Sequence, residues 1–129
     1  MNSFLKYNWP SLLWAAFIFY MCMISSSHLP KIKIPHIDKI VHFTFYTILV
    51  VLMNWGWKKQ NMFATLHQNS MIKIFFIACT YGLSIEIMQE LFTIDRHFEW
   101  FDEVANSCGS AAGSVLSVKM VKYLERFNL

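Results

Sequence analysis

Asp38, His42 and Tyr46 stand four residues apart in an otherwise apolar stretch. On a helix that spacing puts a carboxylate, an imidazole and a phenol on neighbouring positions of one face. Glu86, Gln89 and Glu90 close a second apolar stretch, and steps of three and four lead back through Gly82 to Cys79. Asp102 and Asn106 open a third, continuing by the same steps to Gly109 and Gly113. Three kinds of chemistry are open to such a set. His42 can act as a general base, with Glu86 or Asp102 orienting it or serving as acid, in an intramembrane hydrolase or transferase. Asp38, His42, Glu86 and Asp102 can act as oxygen and nitrogen ligands of a metal, although no ligand motif joins them and the sequence assigns no metal. Lys39, His42 and Arg96 can donate to an anionic group, for which the planar guanidinium is well shaped.

The elements that carry these residues follow from composition. Apolar residues make up 56% of the 129 positions and charged residues 15%, too few to cover a soluble domain of this length. The net charge of +3 comes from scattered cations, which argues against a nucleic-acid partner. Four helices are expected, at about 9–26, 37–57, 71–92 and 101–124, each near the roughly 20 residues that cross a bilayer core. Pro10 suits a helix start. A signal peptide is the competing reading of the first stretch, but its cleavage site is poor and its aromatic core long. Trp55 and Trp57 before Lys58 and Lys59 form an interfacial boundary. The fourth stretch is weakly apolar, yet residues 107–114 (SCGSAAGS) are all small and contain a GxxxG. Small residues let helix backbones approach closely in lipid, so this helix is expected inside the bundle, a re-entrant or peripheral helix being the alternative. The expected architecture is an all-α polytopic transmembrane bundle of four helices forming a single domain over 1–129.

Flanking cations set the orientation. With four spans, Lys6, Lys58, Lys59, Lys73, Lys119, Lys122 and Arg126 share one side, against Lys31, Lys33, Lys39 and Arg96 on the other. Both termini are then cytoplasmic, in the cell membrane. The polar ends of the second, third and fourth helices meet at the opposite leaflet, where loop 93–101 (TIDRHFEWF) lodges its aromatics at the headgroup level.

Each residue also has a purely structural reading. Asp38 can simply cap the second helix, and His42 can be a bundle histidine bonded to Glu86 or Asp102. Gln89 and Asn106 can tie helices together, Gly109 and Gly113 serve packing, and Arg96 can reach lipid phosphate. Tyr46 reads as core with a satisfied hydroxyl. Cys22, Cys79 and Cys108 lie far apart without ligand spacing and read as buried thiols.

Asp38-Lys39-x-x-His42-Phe43-x-x-Tyr46, followed by Glu86-x-x-Gln89, Arg96, Asp102, Asn106, Gly109 and Gly113, resembles the ordered motifs of the VanZ-like family over residues 36–116. The resemblance implies a bacterial polytopic membrane protein, of the family named for a teicoplanin-resistance factor. It implies a setting more firmly than a reaction. No nucleophile motif, Gly-rich phosphate loop or HExxH is present. The reading ranked first is therefore binding. Asp38, Lys39, His42, Glu86, Gln89, Arg96, Asp102 and Asn106 would line an outward pocket for the head group of an envelope lipid or cell-wall precursor, with an effect on glycopeptide susceptibility. A structural network ranks second and catalysis third; cofactor and oligomeric state stay open.

Overall fold

The computed structural model describes residues 2–28 and 34–126. Lys31 and Lys33, used above to weigh orientation, lie outside the described residues. Among the described residues all regular structure is helical: α1 (Ser3–Met23), α2 (Ile37–Lys59), α3 (Ser70–Phe92) and α4 (Trp100–Arg126), with single 3-10 turns at Ser26–His28 and Ala64–Leu66. α2 and α3, 23 residues each, are long and apolar enough to cross a membrane, spanning about 34 Å at the helical rise. The bundle turns large side chains outward, including Trp9, Leu13, Phe17, Tyr20, Phe76, Leu91 and Phe92. So much outward apolar surface fits a lipid-facing exterior far better than a water-facing one.

α1 starts earlier than its apolar stretch suggests. Asn2 caps it, its Oδ1 accepting from the Leu5 amide at 3.0 Å, and Pro10 lies inside the helix, not at its start. The first turns are held by the chain they cover: Phe4 meets Phe63 edge-on at 5.5 Å, and Tyr7 meets Trp55 at 6.2 Å. Gly56 makes this fit possible, because a Cβ there would stand 2.7 Å from the Tyr7 carbonyl oxygen. Further along, Trp14 Nε1 donates to the Phe45 carbonyl at 3.0 Å, and the Tyr81 hydroxyl to the Ala15 carbonyl at 2.6 Å.

α4 packs one face against α2, most extensively, and against α3. Its other side, with Phe101, Val104, Val115, Leu116 and Tyr123, is exposed, so the helix is peripheral and not interior as expected. A Cβ on Gly109 would collide with the Phe43 carbonyl, and one on Gly113 would lie 2.6 Å from the Thr47 carbonyl. Thr47 Oγ1 bridges the contact, donating within 2.8 Å of Phe43 O and 3.0 Å of Gly109 O. The polarity of α4 is absorbed locally. Ser110, Ser114 and Ser117 each donate to a carbonyl one turn back at 2.7–3.0 Å, as helical serines can. Of the three cysteines Cys22 is buried and Cys79 half-buried, but Cys108 is exposed. The expectation of three buried thiols fails at Cys108, because the Gly109 face of α4 turns inward and carries its neighbour out.

Gly109→Leu and Gly113→Leu should each lower thermal stability in detergent, by at least the roughly 1–3 kcal/mol typical of overpacking. Unfolding midpoints matching wild type would show that the α2–α4 contact is not close-packed.

Candidate functional site

Three helix ends converge at one end of the bundle. Asp38, Lys39 and His42 lie in the first turns of α2, Glu86 and Gln89 in the last turns of α3, and Asp102 and Asn106 in the first turns of α4. Gly82 permits the α3–α4 approach beneath them, since a Cβ there would lie 2.8 Å from both Asn106 Nδ2 and Glu103 Oε2.

The Lys39 ammonium is the hub. It pairs directly with Asp102, lies 2.5 Å from Glu99 Oε2, and stands 3.4 Å from Asp38 Oδ2. His42, 4% exposed, is held from behind: its Nδ1 lies 2.9 Å from Asn106 Oδ1. Asn106 Nδ2 in turn donates to Glu103 Oε2 at 3.3 Å, which fixes the amide so that its oxygen faces the imidazole. In that orientation Nδ1–H donates to the amide oxygen, and Nε2 is the ring nitrogen turned toward the acids. Nε2 faces Asp38 Oδ1 at 3.8 Å and Asp102 Oδ2 at 4.0 Å, both too long for a hydrogen bond.

Glu86 is fully buried. Its Oε2 accepts from the Glu99 amide at 3.2 Å, while Oε1 lies 4.0 Å from His42 Nδ1 and has no hydrogen-bond partner among the described residues. The Tyr46 hydroxyl is likewise buried without a partner, against the expectation of a satisfied phenol. It lies under the polar cluster, near Gly82, where the side chains that might have reached it are taken by one another.

Gln89 and Arg96 face a different task. Gln89 Nε2 donates to the Cys22 carbonyl at 2.7 Å, and an Arg96 terminal nitrogen donates to the same oxygen at 3.1 Å. That carbonyl lies at the C-terminal end of α1, where intrahelical donors have run out and a cation is favoured. Among the described residues Arg96 makes no hydrogen bond or ion pair with His42, Glu86 or Asp102, although it lines the same cavity. Nor does Asp38 cap α2: the cap position is His36, in the left-handed region at φ 59°. Asp38 sits in the first turn instead, with its side chain half exposed.

A cavity of about 230 Å³ lies between these groups, lined by Asp38, His42, Gln89, Asp95, Arg96, His97, Glu99 and Asp102. Asp38, Lys39 and Glu99 also form one edge of a larger groove of about 660 Å³, otherwise lined by Ile34, His36, Ile37, Phe101, Val104 and Ala105. Polar cavity and apolar groove thus share a wall. Glu99 and Asp95 were not singled out from sequence. The signal for Glu99 was its place three residues before Asp102, which puts both acids at the start of α4, where the helix dipole favours them.

The VanZ/LLP1 family model matches residues 2–122 of the chain. No curated protein and no solved structure matches it.

Breaking the hub should be costly, because removing one partner of a buried ion pair leaves the other uncompensated. Lys39→Met should destabilise by roughly 3–5 kcal/mol, and adding Asp102→Asn should recover part of the loss. Additive losses in the double variant would show that the pair is not coupled.

Proposed function

The chain belongs to the VanZ/LLP1 family, and on that premise we propose that its polar cavity receives the head group of an envelope lipid or cell-wall precursor. The observation that carries this reading is the shared wall. A polar cavity of about 230 Å³ adjoins an apolar groove of about 660 Å³ through Asp38 and Glu99, with Lys39 on the groove side. An amphiphile fits both: its head among the charged groups, its first methylenes against Ile37, Phe101 and Val104. Trp100 and Phe101, both largely exposed, stand where aromatic side chains favour the membrane interface.

Which donors serve the head group differs from the sequence expectation. Lys39 is engaged by three carboxylates. Arg96 uses one nitrogen on the Cys22 carbonyl, and its guanidinium, with five N–H donors, lines the cavity. Arg96 is then the group for a phosphate or carboxylate. Asp38, Glu99 and Asp95 on the same cavity suit a ligand that also offers hydroxyl or ammonium donors. Gln89, by contrast, works as a tie between α3 and α1.

The proposal places all four helices across the cell membrane, both termini cytoplasmic and the cavity at the outer leaflet. Single cysteines at positions 97 and 61, in a background lacking Cys22, Cys79 and Cys108, should label from outside and inside respectively. Labelling of both from one side would refute the orientation.

Native mass spectrometry of protein released from its own membranes should show a bound lipid or precursor. Arg96→Ala should reduce that occupancy roughly tenfold, the loss expected of one charge-assisted contact. Membrane abundance should be unchanged, and glycopeptide susceptibility should shift in parallel. Equal occupancy in wild type and variant, or a parallel fall in abundance, would contradict a binding role.

A further inference from the structure

We propose that Asp38, His42 and Asp102 form a binding site for a divalent first-row transition-metal ion, the imidazole Nε2 and one oxygen of each carboxylate being its ligands. The three ligand atoms lie within 4.8 Å of one another. Ligands about 2.0–2.2 Å from a shared ion stand roughly 3–3.6 Å apart, so the site closes with an inward movement of the half-exposed Asp38 side chain and a contraction of the 4.0 Å His42–Asp102 separation.

Each ligand is already held through its other polar atom. Asn106 takes His42 Nδ1 at 2.9 Å and leaves the Nε2 lone pair facing the two acids. Lys39 takes Asp102 Oδ1, leaving Oδ2 turned to His42, and approaches Asp38 Oδ2, leaving Oδ1 turned the same way. This is how outer partners orient metal ligands: a hydrogen bond on the far nitrogen of the imidazole and on the far oxygen of each carboxylate.

A second observation is independent of the acidic cluster. His42 is 4% exposed, and its Nε2 has only partners at 3.8 and 4.0 Å, beyond hydrogen-bond reach. An imidazole nitrogen aimed between two carboxylates at these distances leaves room for a cation between them. The local charge agrees, since three carboxylates, Asp38, Glu99 and Asp102, surround the ammonium of Lys39, and the cavity beyond adds Asp95 as well as Arg96. An imidazole in the ligand set selects transition metals over Mg²⁺ and Ca²⁺, and carboxylates suit Mn²⁺ and Zn²⁺. The inference does not rest on the lipid reading, because its probe is the metal alone.

The test uses full-length protein without a polyhistidine tag, purified in detergent, stripped with EDTA and titrated with MnCl₂. Free Mn²⁺ is read by electron paramagnetic resonance. The expected result is saturable binding of one Mn²⁺ per chain, reversed by Zn²⁺ but not by equal Mg²⁺. Asp38→Asn and His42→Gln should each weaken binding by about tenfold or more. Asp38→Asn should do so with an unchanged unfolding midpoint in EDTA, because its side chain is half exposed. Absence of saturable binding by the wild-type protein, or Asp38→Asn binding as tightly as wild type, would overturn the proposal.

Discussion

Lys39 meets Asp102 where α2 and α4 first come together, and this end of the bundle is organised around that pair. A charge withdrawn from water is tolerated only with a partner and further hydrogen bonds. Here the requirement propagates outward. Asp102 fixes the start of α4 against α2, and Glu99, drawn to the same ammonium, offers its backbone amide to Glu86 at the end of α3. Thr93, Phe98 and His97 then close the intervening loop onto Gln89 and Glu90. Three helices are thus registered in depth by one cation.

That register depends on close packing below it. Gly109 and Gly113 bring α4 against the backbone of α2, and Gly82 of α3 makes room for the Asn106 and Glu103 side chains of α4. The buried face of α4 is consequently poor in large apolar groups and rich in serine. Its stability against the bundle comes from contact distance and self-satisfied hydroxyls, since lipid is as apolar as any core side chain and provides no hydrophobic drive between helices. The same close approach places Asn106 beneath His42, so the packing stripe and the polar site are one construction.

Much of this was legible in the chain. Apolar lengths pointed to three helices and the small-residue run to the fourth, and steps of three and four gave the faces on which Asp38, His42, Glu86, Asp102 and Asn106 meet. What stayed hidden depended on tertiary contacts. Pro10 reads as a helix start, yet Asn2 and the cover over Trp55 and Phe63 carry α1 a further two turns. Arg96 reads as a ligand donor, yet one of its nitrogens goes to Cys22, because that is where α1 happens to end. Tyr46 lies on the expected face, but whether its hydroxyl finds a partner depends on neighbours already taken. Glu99 sits in a loop without periodicity, and pattern reasoning had no face to assign it to.

The account turns on one atom, the Nε2 of His42, standing open toward Asp38 and Asp102 while Nδ1 is held by Asn106. Nitrogen-15 spectra of histidine-labelled protein in detergent, with EDTA and at mildly alkaline pH, report the tautomer of each imidazole, and His42→Gln assigns the resonance. The expected spectrum shows the His42 proton on Nδ1, donated to Asn106, and a free lone pair on Nε2. A His42 carrying its proton on Nε2, or on both nitrogens, would contradict it.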